Sequence, residues 1–256
     1  MIKVENVHKQ FGAKNVLCGV DLEVRDGETL VIIGASGAGK SILLKTIVGL
    51  IKPDMGSVKI DDVDITKCSS LDLHKAQKKI GYVFQEAALF DSFNVFENVA
   101  FGLKNLTSLN EKEINQRVVQ CLAMVGLEKI EHLKPSELSG GMKKRVGLAR
   151  AVAYQPRYVL YDEPTAGLDP IMSDIINNLM INLRKYLQVT SIVVTHDIKS
   201  AYKIADRITM LCKGEMIFNG TPEETKHTKN EYVRQFVEGS SCGPINVDKT
   251  FGMGRI

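Results

Sequence analysis

One octapeptide limits what this chain can become. Gly34, Ala35, Ser36, Gly37, Ala38, Gly39, Lys40 and Ser41 fit the pattern G-x-x-x-x-G-K-[ST]. Before it stands the apolar run Leu30–Ile33, which reads as a strand buried on both faces. After it Lys40–Leu50 reads as a helix. Glycines let the backbone curl until successive N–H groups converge, and the helix N-terminus adds positive potential at the same point. Such a loop suits a polyphosphate, with Lys40 reaching the β- and γ-phosphates and Ser41 ligating Mg²⁺.

The remainder of the chain must supply a scaffold for that loop. Its 256 residues are 44% apolar and 25% charged, enough for a real core in one large domain or two lobes. Lys and Arg total 33 against 30 acids, and a net charge of +3 gives no argument for a nucleic-acid partner. The five cysteines are scattered without a C-x-x-C pair, which argues against a disulfide framework or zinc site and for a reducing compartment. Met1–His8 carries charges where a signal peptide would be apolar. No uncharged apolar run approaches the roughly 20 residues that span a bilayer, so work at a membrane requires a spanning partner.

Strands are expected at Ile2–Lys9, Val20–Val24, Thr29–Ile33, Ile80–Phe84, Tyr158–Asp162 and Thr190–Thr195. Lys213-Gly214 reads as a hairpin turn joining Arg207–Cys212 to Glu215–Asn219. Asn110 and Glu113 form a capping-box pattern. The helix they open should bury Ile114, Val118, Cys121, Leu122 and Val125 and end at Gly126. Further helices are expected at Met142–Tyr154, near Ile198–Ala205, and along a stripe of Ile171, Ile175, Leu179, Leu183 and Leu187. This alternation predicts an α/β fold with a parallel core sheet.

Two further constellations carry chemistry. Tyr158–Asp162 delivers Asp162 and Glu163 to the C-terminal edge of the sheet, where ligands bind in open α/β folds. Asp162 is then placed to hold the Mg²⁺ shell and Glu163 to polarise an attacking water. Ser139, Gly140 and Gly141, ahead of a helix, offer a hydroxyl, exposed N–H groups and a dipole, a second anion site. Lys143, Lys144 and Arg145 follow in what reads as the first turn, where the dipole disfavours cations. Either a phosphate or acidic partner offsets this, or the three form a solvated basic face.

In this order the motifs resemble the nucleotide-binding subunits of ATP-binding cassette (ABC) transporters, over roughly Ile2 to Val237. The resemblance rests on the phosphate loop, Gln85 after Tyr82-Val83-Phe84, Leu138–Met142, Tyr161–Pro164, Ala166–Asp169 and Val194–Asp197. It implies a P-loop NTPase with an N-terminal antiparallel β layer, a parallel core sheet and an α-helical subdomain near 86–139. The ATP-binding domain would span 1–238, followed by a tail over 239–256. It implies ATP and Mg²⁺ as cofactors, with Phe11 stacked on adenine and Val16 beside it. Lys40, Gln85, Glu163 and His196 become the catalytic set, with His196 near the γ-phosphate. Ser41, Gln85 and Asp162 become the metal-holding set. It also implies a head-to-tail homodimer in which Ser139, Gly140, Gly141 and Asp169 act on the ATP held by the other subunit.

Met142 stands where that family commonly has Gln. This form of the motif, with Ala88–Ser92 shortly before Val95–Ala100 and with Glu163–Pro170, is similar to the Mla/Mce-type lipid transport ATPases. That likeness implies movement of phospholipid or related lipid between membranes. It also implies an integral permease, a membrane-anchored lipid-binding partner, and a place on the cytoplasmic face of the inner membrane. ABC ATPases for other solutes share the same core. Non-transport ABC ATPases are a third reading, opposed by the single phosphate loop and the lack of a long heptad run.

Phe90, Phe93, Phe96 and Phe101 crowd one segment, where they form either the permease-gripping surface or the core of the smaller lobe. The tail carries apolar anchors at Pro244, Ile245, Val247 and Phe251. It reads either as a dimer contact or as a disordered terminus.

Overall fold

The computed structural model describes residues 1–245. The chain opens with β1 (Ile2–Phe11), β2 (Lys14–Val24), β3 (Thr29–Ile33), α1 (Lys40–Ile47), β4 (Met55–Ile60) and β5 (Val63–Asp64). Next come α2 (Ser70–Gln77), β6 (Ile80–Val83), α3 (Val95–Leu106), α4 (Glu111–Met124), a 3₁₀ turn at Pro135–Glu137, and α5 (Gly140–Val152). The rest is β7 (Tyr158–Asp162), α6 (Pro170–Leu187), β8 (Thr190–Thr195), α7 (Ile198–Ile204), β9 (Arg207–Cys212), β10 (Glu215–Gly220), α8 (Pro222–His227) and α9 (Glu231–Glu238).

Two sheets result. One is antiparallel, in the order β2-β1-β4-β5; the other runs β10-β9-β3-β8-β7-β6. In the second, β9, β3, β8, β7 and β6 are mutually parallel and only β10 is antiparallel. The Lys213-Gly214 turn has φ values of 50° and 84°, both left-handed, as a tight hairpin requires.

The central strands are apolar throughout because they serve two cores. All five residues of β3 are buried. Alternation sends Leu30 and Ile32 to the core shared with the antiparallel sheet and α1, and Val31 and Ile33 to the core under the larger helices. Burying each such side chain contributes about 1.5–3 kcal/mol. Because β3 is fixed on both faces, the loop that follows it starts from an immobile edge.

The capping box at Asn110 and Glu113 forms as expected, and Ile114, Val118, Cys121, Leu122 and Val125 are buried. Elsewhere the boundaries differ. β2 begins at Lys14 rather than Val20, because bulges against β1 break its alternation. α1 ends at Ile47, with Gly49 at φ 74° just beyond. α5 begins at Gly140 rather than Met142, since the Ser139 hydroxyl accepts from the Met142 N–H at 3.3 Å and caps it.

The long helix expected from the Ile171–Leu187 stripe forms as α6, but the first half of the stripe does not face the core. The helix's buried residues are Ser173, Ile176, Asn177, Met180 and Leu183, whereas Ile171 is 76% and Ile175 39% exposed. At 3.6 residues per turn, strict i+4 spacing drifts by about 40° per step, or about 160° from Ile171 to Leu187. Such a ladder cannot stay on one face; it meets the core at Leu179, Leu183 and Leu187 but not at Ile171 or Ile175.

The final helix leads into residues tied back to it. Ile245 donates its N–H to Gln235 Oε1 at 2.7 Å, and its carbonyl accepts from Gln235 Nε2 at 3.1 Å. Val247 and Phe251, which the expected tail contact invoked, lie outside the described residues.

Candidate active site

The glycine loop spans from the buried end of β3 to the first turn of α1. Gly34 has φ 154°, and a Cβ there would lie 2.3 Å from the Leu211 carbonyl oxygen of β9. Gly39, at φ 104°, would put one 2.9 Å from the Val16 carbonyl oxygen. Only glycine lets the loop pass this close to its neighbours. No side chain caps α1, so its first N–H groups remain available to an anion. Lys40 is 6% exposed and donates to the Gly34 and Ala35 carbonyls at 2.8 and 3.3 Å.

The acidic pair arrives from β7. Ser41 Oγ donates to Asp162 Oδ1 at 2.6 Å, and the Tyr82 hydroxyl donates to Asp162 Oδ2 at 3.1 Å. With its proton committed to Asp162, the Ser41 oxygen keeps a lone pair. Serine hydroxyl and carboxylate together form an all-oxygen donor set of the kind a hard divalent cation takes when phosphates complete its shell. Among the described residues no cluster of three His, Cys, Asp or Glu exists that would hold a metal unaided.

Glu163 is 7% exposed and sits at φ 47°, a left-handed conformation unusual for such a residue. Its N–H donates to the Val194 carbonyl at 3.0 Å, which fixes the turn. Its carboxylate then lies between two cations or donors. Lys40 Nζ is 3.4 Å from Oε1, and Oε2 accepts from the His196 N–H at 3.2 Å and lies 2.9 Å from His196 Nδ1.

Phe11, Val16, Ser36, Gly37, Gly39, Lys40, Ser41, Gln85, Glu163 and His196 share the wall of one cleft of about 470 Å³. Asp162 is buried beside Ser41, while Ser139, Gly140, Gly141 and Asp169 do not line this cleft. Ser139, Gly140 and Asp169 are exposed, and Asp169 caps α6 by accepting from the Ile171 and Met172 N–H groups at 2.9 and 3.0 Å. A wider cleft of about 550 Å³ lies between β1, β2 and β10 but contains no phosphate-binding loop. Residue chemistry, not size, assigns the site.

Sequence reading missed Lys14, which lines the cleft, and Tyr82. No local motif marks Tyr82; its role needs the knowledge that β6 pairs with β7. Burial first, and the Asp162 charge second, hold its phenol far above the ordinary tyrosine range, so it is a neutral donor.

The basic run on α5 was placed too early in its helix. Lys144 donates to the Pro164 and Ala166 carbonyls at 3.1 and 2.5 Å, and burial lowers its pKa. Arg145 donates to the Gly126 carbonyl at 3.2 Å, at the end of α4. Both side chains therefore satisfy backbone carbonyls and neither belongs to a solvated basic face.

The aromatic segment divides its roles. Phe96 packs on the main core, while Phe90 and Phe101 are 42% and 41% exposed with ring centroids 4.9 Å apart. Phe93 joins them at 5.2 Å from Phe90. Beside this cluster runs a third cleft of about 260 Å³, walled by Tyr82, Phe84, Phe101, Arg150 and Tyr154.

Comparison with known proteins bears on this geometry. The "Probable ribonucleotide transport ATP-binding protein mkl" of Mycobacterium tuberculosis (strain ATCC 25618 / H37Rv) is 39% identical over 249 residues, covering 97% of this chain and 69% of its own. The intermembrane phospholipid transport system ATP-binding protein MlaF of Haemophilus influenzae is 39% identical over 245 residues, covering 96% and 93%. The ATP-binding cassette MJ0796, solved as a dimer in a post-hydrolysis state with ADP and Pi, superposes with a TM-score of 0.80 at 36% identity, covering 87% of this chain and 99% of its own. No helix among the described residues is long and apolar enough to cross a membrane. The ABC transporter family profile matches residues 17–166, more than half of the chain, including the phosphate loop, Gln85, Asp162 and Glu163, and the chain therefore belongs to the ABC transporter family as an ATP-binding, ATP-hydrolysing subunit.

Proposed function

We propose that two copies of this chain close around two ATP molecules and drive an integral permease that moves phospholipid or a related lipid between membranes. The supporting observation is the match to a phospholipid-transport relative along nearly the full length of both chains, at 39% identity. In this reading a membrane-anchored lipid-binding partner completes the transporter, and the subunit sits peripherally on the cytoplasmic face of the inner membrane. The ATP-binding domain is residues 1–238, with the helical subdomain at about 86–139 gripping the permease through Phe90, Phe93 and Phe101.

Each residue then has a task. Phe11 stacks on adenine with Val16 beside it, and the loop amides cradle the phosphates. The γ-phosphate competes with Glu163 for Lys40, which already lies within 3.4 Å of that carboxylate. Freed from Lys40 and held by His196, Glu163 accepts the proton of the attacking water. Gln85 orients that water, and Ser41, Gln85 and Asp162 hold Mg²⁺. The ion's contribution is to neutralise charge on the β- and γ-phosphates. Ser139, Gly140, Gly141 and Asp169 face the nucleotide of the second copy, consistent with their absence from their own subunit's cleft.

A second reading, transport of a different solute, draws on the mycobacterial relative named for ribonucleotide transport at the same identity. Native purification of the transporter, with bound small molecules identified by mass spectrometry, separates the two. Phospholipid carried by a co-purifying partner supports the first, and a soluble solute in its place overturns it.

A further inference from the structure

Asp162 has two carboxylate oxygens and the structure gives each its own hydroxyl donor: Ser41 at 2.6 Å on Oδ1 and Tyr82 at 3.1 Å on Oδ2. The second donor follows from topology. β6 lies beside β7 in parallel, with Tyr82 opposite Leu160, so Tyr82 and Asp162 point to one face of the sheet two residues apart. A tyrosine side chain is long enough to cover that diagonal. Its ring is braced by Phe84, centroid to centroid 4.5 Å, so the hydroxyl is aimed by packing rather than left to rotate.

We propose that Tyr82 is a positioning residue for ATP hydrolysis, its hydroxyl locking the Asp162 carboxylate so that the other oxygen stays on Ser41 and the pair is ready for a divalent cation. The proposal rests on the reading of Ser41 and Asp162 as the cation-holding pair. The physical need is specific. The terminal torsion of an aspartate is broad and roughly two-fold, so a carboxylate held at one oxygen can still swing. Two donors, one per oxygen, remove that freedom. The Ser41 proton then points away from the position a cation must take, and its lone pair faces it.

Tyr82→Phe removes the hydroxyl and keeps the ring. The measurements are Mn²⁺ affinity by electron paramagnetic resonance with a non-hydrolysable ATP analogue, analogue affinity in EDTA, and melting temperature. Mn²⁺ binding is expected to weaken about tenfold, the loss of one hydrogen bond to a charged group. Metal-free nucleotide affinity and melting temperature stay at the wild-type value, and raised Mg²⁺ restores turnover. Tyr82→Leu should show the same Mn²⁺ loss. Wild-type Mn²⁺ affinity in Tyr82→Phe, with loss only in Tyr82→Leu, assigns the effect to packing and overturns the proposal. Asp162→Asn supplies the control. If it weakens Mn²⁺ while Tyr82→Phe does not, only the Tyr82 role falls; if Asp162→Asn also leaves Mn²⁺ unchanged, the cation-holding pair itself is refuted.

Discussion

Asn98 offers the sharpest stability test because it is fully buried yet polar, and every bond it makes is local. Its Oδ1 accepts from the Phe90 N–H at 2.8 Å. Its Nδ2 donates to the carbonyls of Phe90, Phe93 and Asn94 at 3.1, 3.3 and 3.0 Å. One side chain thus pins residues 90–94 to α3 and holds the exposed rings in place. In Asn98→Ala the Asn94 carbonyl keeps its helical partner, the Asn98 N–H at 3.0 Å, so its loss costs little. The Phe90 carbonyl likewise keeps the Phe93 N–H at 3.1 Å, so the Phe90 N–H and the Phe93 carbonyl carry most of the penalty. Each buried, unpaired group costs about 1–3 kcal/mol, reduced here because Phe90 is 42% exposed and water can reach it. The total comes to about 2–4 kcal/mol. For a chain of this size that is a fall in Tm of roughly 5–15 °C. Differential scanning fluorimetry reads the fall, and limited proteolysis should show new cleavage within residues 88–94. Nucleotide affinity stays unchanged because Asn98 does not reach the ATP cleft. A fall in Tm below about 2 °C, with no new cleavage, would refute the clamp.

Glu163→Gln keeps the size of the side chain but not its proton acceptor; turnover should fall by about 10²–10⁴ while ATP-bound dimers persist on gel filtration. Near-normal turnover would remove Glu163 from the role of base. Gly34→Ala forces a Cβ to 2.3 Å from the Leu211 carbonyl oxygen. It should cost about 2–3 kcal/mol, a Tm fall of roughly 4–12 °C, together with weaker nucleotide binding by equilibrium fluorescence. Wild-type values for both would show that the loop does not need its close approach to β9. Phe93→Asp should release the permease without weakening nucleotide binding, and co-purification of the permease at normal yield would rule this out.

The parts legible in sequence were those where local chemistry decides. The loop declared itself through Gly34, Gly39, Lys40 and Ser41, because only glycine tolerates those backbone angles and contacts. Asn110 with Glu113 announced a helix start, and the same box at Asn94 with Glu97 was hidden by the aromatic run around it. What failed required tertiary knowledge. The α6 stripe was counted by fours, yet burial follows Ser173, Ile176, Asn177 and Met180, two of them polar and invisible to an apolar count. Asn177 is buried because its amide donates to Ser200 Oγ at 2.7 Å across to α7. Tyr82 and Lys144 likewise act on partners 80 and 20 or more residues away, and no spacing rule reaches that far.

Lys144 sets a limit on how the molecule can move. It ties α5 to the Pro164 and Ala166 carbonyls, and so joins the helix that begins at Ser139 to the segment between Glu163 and Asp169. The two exposed patches are therefore coupled through one side chain. A swing of α5 that advanced Ser139 while Asp169 stayed behind would have to break both Lys144 hydrogen bonds. A half-engaged contact is thereby made costly, so the approach of two copies should read as a latch with two settings rather than a sliding clasp.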